Sequence, residues 1–226
     1  MQATRERPSK QDQAAGVVHA QHNGNFARSH SAHMEDIREI TRKGEGAKIL
    51  AVQELTQKVK LDGYTVIQTD KPGHCGEALL VHDSLKVRRA NVRDAARSNR
   101  GEAIGDRGFP WAVVDLPGWG DTLEICVHMP PLRMFDTLYP VFGASLNARI
   151  RVAKVPFVAM GDFNKLIRAD PANLHGSFDA QWIGARIDLM AFSPKLDGQL
   201  TWWEQPHPAR PDNHPTVFAL PSKTVR

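Results

Sequence analysis

The chain has 226 residues, 41% of them hydrophobic, which suffices for one substantial core and one domain. Its 29 Lys and Arg against 25 Asp and Glu leave a formal charge of +4, a mild excess that favours a polyanionic partner and equally serves solubility. Cys75 and Cys126 are too few for a disulfide framework, and no uncharged apolar run reaches membrane-spanning length, so a soluble, cytoplasmic, monomeric protein is expected.

In chain order, residues 1–15 are charged and polar without apolar periodicity and read as a flexible tail, with a single domain from 16 to 226. "AGVVHAQHN" (15–23) reads as a strand. "SAHMEDIREITRKG" (31–44) has Met34, Ile37 and Ile40 at helical spacing and a glycine stop, and "AKILAVQEL" (47–55) reads as a buried strand. That is a βαβ opening. "GYTVIQTD" and "GEALLVHDSLKVRRA" follow as strands joined by a "KPGHCG" turn, and "WAVVDL" and "DTLEICVHM" flank "PGWG" as a hairpin. Residues 89–109 have no periodicity and are expected to be a long loop. "LYPVFGASLNARIRVAK" (138–154) has helical spacing, "VPFVAM" reads as a buried strand, and "RIDLMAFS" and "TVFAL" supply late strands. Strands with few helices point to a layered α/β or α+β arrangement.

Polar residues collect at the strand ends. Asn23 ends the first strand, Glu54 interrupts "ILAVQEL", His128 ends "EICVHM", Asp162 and Asn164 follow "VPFVAM", Asp188 sits inside "RIDLM", and Asp212 and His214 precede the last strand. Each alone reads as a turn or cap residue. If the strands share a sheet, the set converges on one rim, and acids and amides there suit Mg²⁺ or Mn²⁺ better than Zn²⁺.

"VQEL", "HMPP", "GDFN", "RIDLM" and "PDNHPTV", in this order, resemble the motifs of the endonuclease/exonuclease/phosphatase superfamily over residues 17–218. "GHCGEALLV" is similar to the family's Gly-rich strand opening. The resemblance implies a four-layered α/β sandwich of two packed mixed sheets flanked by helices, and divalent-metal-dependent hydrolysis of phosphate esters. It also implies roles. Glu54 would be the main Mg²⁺ ligand with Asn23 and Asp212 near it, and Asp188 would orient His214. Asp162 would position or deprotonate the attacking water, Asn164 would donate to a phosphoryl oxygen, and His128 would donate on the leaving-group side. "PDNHPTV" departs from the family's S-D-H-x-P pattern by placing Pro211 for the Ser and Asn213 between the acid and His214. "HAQHNGNF" offers Asn25 as the alternative to Asn23.

Three readings of function follow. A nucleic-acid nuclease is favoured by the motifs and the basic charge. A phosphatase or phosphodiesterase on a small phosphoester keeps the chemistry, and a binding module with a degraded site is the third. For a polymer substrate, Trp203 of "TWWEQP" is a candidate for stacking on a base, with core packing as the competing reading. Arg97, within the Arg-rich 86–100 stretch, is a candidate for the phosphate backbone, with a solvated loop as its alternative. "HSAH" (30–33) has metal-compatible spacing on a helix but no carboxylate or cysteine completing it.

Overall fold

The computed structural model describes residues 2–24, 29–42, 46–68, 76–91, 109–129, 135–164, 180–185, 187–196, 198–206 and 215–223. The elements, in chain order, are β1 (Gln2–Arg5), α1 (Lys10–Ala15), β2 (His19–Asn23), α2 (His30–Ile40), β3 (Ile49–Leu55), β4 (Tyr64–Gln68), β5 (Gly76–His82) and β6 (Lys86–Asn91). They continue with β7 (Trp111–Leu116), β8 (Gly120–His128), α3 (Phe135–Ala153), β9 (Phe157–Asp162), β10 (Gln181–Ala185), β11 (Asp188–Phe192), β12 (Gln199–Gln205) and β13 (Thr216–Ser222).

Two mixed sheets form. One has seven strands in the order β1-β12-β13-β2-β3-β5-β4, the other six in the order β10-β11-β9-β8-β7-β6. The expected βαβ opening is present, with β2 and β3 parallel around α2. The expected hairpins β4–β5 and β7–β8 are antiparallel pairs. "GEALLVHDSLKVRRA", expected as one strand region, divides at Asp83–Leu85, and its halves belong to different sheets.

The residues at alternate strand positions fill three apolar layers, as the period of two requires. Between the sheets lie Ile49, Ala51, Leu79, Val81, Cys126, Val158, Met160, Met190 and Phe192. On the outer side of the seven-stranded sheet, Val18, Ala20, Leu50 and Val52 meet Met34, Ile37 and Ile40 of α2. On the outer side of the other sheet, Leu123, Ile125, Val127 and Ala159 meet Phe142 and Leu146 of α3. The order is therefore helix, sheet, sheet, helix, and the four-layered α/β sandwich expected from the resemblance is the fold.

The N-terminal segment differs from expectation. Residues 2–5 are not tail but strand β1, parallel to β12 from Gln2↔Gln199 to Arg5↔Trp202. Arg5 fixes it, with a guanidinium 2.8 Å from Glu204 Oε2 and 5.0 Å from the centroid of the Trp202 ring. Helix α1 follows, its first turn capped by Ser9, whose side chain accepts from the Asp12 N–H. The backbone bonds come from a partner almost two hundred residues away, which no local pattern displays.

Candidate active site

The inward-facing rows of the sandwich change from apolar to polar at one end. On β5, Leu79 and Val81 face the inter-sheet core and Glu77 continues their row. On β8 the same row runs through Cys126 to His128, on β9 through Val158 and Met160 to Asp162, and on β11 through Phe192 and Met190 to Asp188. On β2 it runs through His19 and Gln21 to Asn23. Parity, rather than any local motif, delivers these side chains to one place.

Glu54 reaches that place by breaking parity. Gln53 continues the inward row of Ile49 and Ala51, so a regular strand would turn Glu54 to the outer face. Instead Glu54 has φ 57°, in the left-handed region that non-glycine residues rarely adopt. The β3–β5 register shifts between Val52 and Leu55, the signature of a bulge that re-aims a side chain. Ligand atoms of Glu54, His128 and Asp162 consequently lie within 4.8 Å of one another.

Each member is held. Asp162 Oδ1 accepts from the Asn164 N–H at 2.7 Å and Oδ2 from the Asn23 amide at 3.1 Å. Asn164 has φ 49° and donates its side-chain amide to the Met129 carbonyl at 2.8 Å. One of its two amide hydrogens is therefore committed to tying β9 to the end of β8, where the sequence reading had it facing substrate. Gly161 contributes through its missing side chain. It lies within β9 rather than in a turn, and a Cβ there would overlap the Val127 carbonyl of the adjacent β8. Phe163 is fully buried in the apolar layer of Val127, Ala159 and Leu189 and packs edge-on to Trp182, with ring centroids 5.2 Å apart.

Glu77 is the residue that sequence reading missed, although "GHCGEALLV" contains it. Its Oε1 is 3.3 Å from His128 Nδ1. Burial by itself would lower the His128 pKa, but the bond to Glu77, the Glu77 charge and the Asp162 and Glu54 charges together outweigh it and hold it above the ordinary imidazole value. A raised imidazole pKa favours the protonated ring, which is a proton donor. Asp188, fully buried, accepts at Oδ1 from the Gln21 amide at 2.9 Å.

The remaining candidates separate. Trp203 is buried on the outer face, stacked on Phe218 with ring centroids 5.2 Å apart and planes 7° from parallel. It packs in the layer beneath α2, which is the core reading and not base stacking. His30 and His33 lie on α2, and neither is among the residues that group as metal ligands within the described part of the chain. Asn23 stands in the site. Asn25, Arg97, Asp212 and His214 lie outside the described residues.

The donor chemistry fits a hard divalent cation. Glu54, partly open to solvent, supplies a carboxylate, Asn23 retains a carbonyl oxygen once its amide donates to Asp162, and Asp162 adds a second carboxylate. His128 turns Nδ1 to Glu77, so the oxygen atoms form the hard part of the set.

No protein-family model matches the sequence, and comparison with curated proteins gives no match. The three-dimensional fold does match known structures. Truncated TDP2 of Caenorhabditis elegans superposes with a TM-score of 0.62 at 14% identity, covering 91% of this chain and 98% of that one. This is the endonuclease/exonuclease/phosphatase fold. Among other structures with this fold, the Neisseria 3′ phosphatase NExo bound to a product DNA hairpin gives a TM-score of 0.60 at 15% identity, covering 90% and 98% of the two chains. A Bacteroides thetaiotaomicron mannosyl-6-phosphatase gives 0.60 at 13% identity, with the same 90% and 98% coverage. Among the described residues no helix is long and apolar enough to cross a membrane.

Proposed function

We propose that the chain is a divalent-metal-dependent phosphoesterase of the endonuclease/exonuclease/phosphatase superfamily that hydrolyses phosphodiester bonds of nucleic acid. The observation that carries this reading is the convergence of Glu54, His128 and Asp162 within 4.8 Å at the polar end of the sandwich. Glu54, with the Asn23 and Asp162 oxygens, would hold Mg²⁺ or Mn²⁺, with Asp212 as a further ligand from the sequence motif. A bound ion of this kind supplies positive charge against the phosphoryl oxygens.

The chain's own groups do the rest. Asp162, its orientation fixed by Asn23 and by the Asn164 N–H, accepts a proton from the attacking water. His128, whose pKa is raised beside Glu77, donates to the leaving oxygen. From the sequence motif, Asp188 would orient His214. Asn164 presents its second amide hydrogen to a phosphoryl oxygen. The formal +4 charge and the DNA-bound NExo neighbour favour a polymer substrate. The mannosyl-6-phosphatase neighbour supports a second reading, a small phosphomonoester. A non-catalytic module has no account of why three titratable groups are gathered at one buried end.

The deciding experiment incubates the protein with supercoiled plasmid, single-stranded DNA and RNA in Mg²⁺, Mn²⁺ or EDTA, beside a Glu54→Ala, His214→Ala double variant. Metal-dependent cleavage lost in the variant is expected. A folded wild type that leaves every polymer intact would refute the nuclease reading, and phosphate release from a panel of sugar phosphates would then decide for the monoester.

A further inference from the structure

Directly beneath the site, one amide joins the two sheets. Gln21 Nε2 donates to Gln53 Oε1 at 2.8 Å, within the seven-stranded sheet, and to Asp188 Oδ1 at 2.9 Å, on the six-stranded sheet. An amide nitrogen has two hydrogens, and both are spent here. All three side chains are fully buried. The Gln21 Oε1 atom has no partner among the described residues. Flipping the amide would set that oxygen against the Asp188 carboxylate, so the acceptors fix its orientation. A buried unpaired acceptor costs roughly 1–3 kcal/mol. An apolar residue in this row would avoid that cost, as Ile49 and Val81 do on neighbouring strands.

What the amide secures lies one residue further on. Gln53 immediately precedes Glu54, whose left-handed backbone turns its carboxylate inward. Gln53 is pinned twice, through its side chain by Gln21 and through its carbonyl by the Gly24 N–H at 2.9 Å. Gln53 Nε2 in turn reaches Cys126 Sγ at 3.2 Å, on the strand that ends in His128.

We propose that Gln21 is a positioning residue, a hydrogen-bonded clamp between the two sheets that holds the Glu54 bulge in register with Asp188 and the Asp162–His128 edge. Its kinetic consequence rests on the phosphoesterase reading, whereas its consequence for cation binding does not. Removing the clamp lets the Glu54 carboxylate wander relative to its partners on the other sheet. Groups that orient metal-binding side chains from behind typically contribute on the order of 10–100-fold in affinity or activity.

The test uses Gln21→Met, which keeps length and volume and loses both donors. Val18→Ala, on the outer face of the same segment and also fully buried, serves as the control for lost stability. Calorimetric titration with Mn²⁺ in the absence of substrate is the first readout, and Gln21→Met is expected to bind about tenfold more weakly, with Val18→Ala unchanged. In hydrolysis, kcat is expected to fall about tenfold with KM nearly constant. Should Gln21→Met not fold, Gln53→Met frees the Glu54 bulge from the Gln21 amide, losing the Cys126 contact as well, and weaker Mn²⁺ binding is again expected. Wild-type affinity in the Gln21 variant, an equal loss in Val18→Ala, or a wild type that binds no Mn²⁺ would each overturn the clamp. A wild type that binds Mn²⁺ but hydrolyses nothing would overturn the phosphoesterase reading alone.

Discussion

Glu77 Oε1 and His128 Nδ1 meet at 3.3 Å across the gap between the two sheets, with both side chains more than nine-tenths buried. A carboxylate in that position keeps one imidazole orientation and favours the imidazolium. Because the His128 pKa is raised, the pair's stabilisation is fully present below the ordinary imidazole value of about 6.5 and is lost as pH rises through the folded value. Glu77→Gln is expected to lower the His128 titration midpoint, followed by NMR of the metal-free protein. Its stability deficit against wild type should be largest at mildly acidic pH and shrink as pH rises. An unchanged His128 midpoint would refute the pairing.

Deeper between the sheets, His19 Nε2 lies 3.4 Å from Glu124 Oε2, both side chains fully buried. His19 Nδ1 donates to the Val17 carbonyl at 3.1 Å, so Nε2 is the ring nitrogen that faces Glu124. Burial raises the Glu124 pKa, against the lowering effect of His19. A carboxyl whose pKa rises on folding stabilises the protein below its unfolded value and loses that contribution as pH climbs through the folded value. Glu124→Gln, which replaces the buried carboxyl with an uncharged amide of the same shape, is therefore expected to raise the melting temperature at pH 8 by about 2–4 °C, on the order of 1 kcal/mol. The gain should vanish towards pH 4, and a variant destabilised at every pH would contradict the argument.

Gly161 marks where β9 approaches β8 too closely for a side chain. A Cβ at this position would overlap backbone, the Val127 carbonyl, rather than a movable side-chain end. Gly161→Ala is expected to destabilise by about 1–3 kcal/mol or more, seen as a lowered urea midpoint, and to weaken Mn²⁺ binding because Asp162 follows directly. A midpoint equal to wild type would show that the strands separate freely.

Trp203 distinguishes packing from base recognition. Stacked on Phe218 beneath α2, it contributes to the core. Trp203→Ala is expected to cost about 3–5 kcal/mol while leaving KM for an oligonucleotide within twofold of wild type in the folded fraction. A raised KM with little loss of stability would restore the stacking role.

Much of this was legible in the sequence because it is local. Apolar alternation set the central strands, helical spacing in Met34, Ile37 and Ile40 set α2, and the ordered polar residues at strand ends pointed to Asn23, Glu54, His128, Asp162, Asn164 and Asp188. All six stand at or directly beneath the polar end of the sandwich. Tertiary structure decided what depends on distant partners. A polar four-residue segment becomes β1 only because β12 supplies its hydrogen bonds. Glu77 has no distinguishing context along the chain until β8 brings His128 against it. Glu54 faces inward only through a backbone irregularity, and Gln21 meets Asp188 across 167 positions of sequence. The sequence by itself determined which residues occupy strand ends, since burial periodicity is written in neighbours two apart. Which of them face one another across the sandwich was decided by the packing of the sheets, because a hydrogen bond depends on position in space and its donor and acceptor need not be near in the chain.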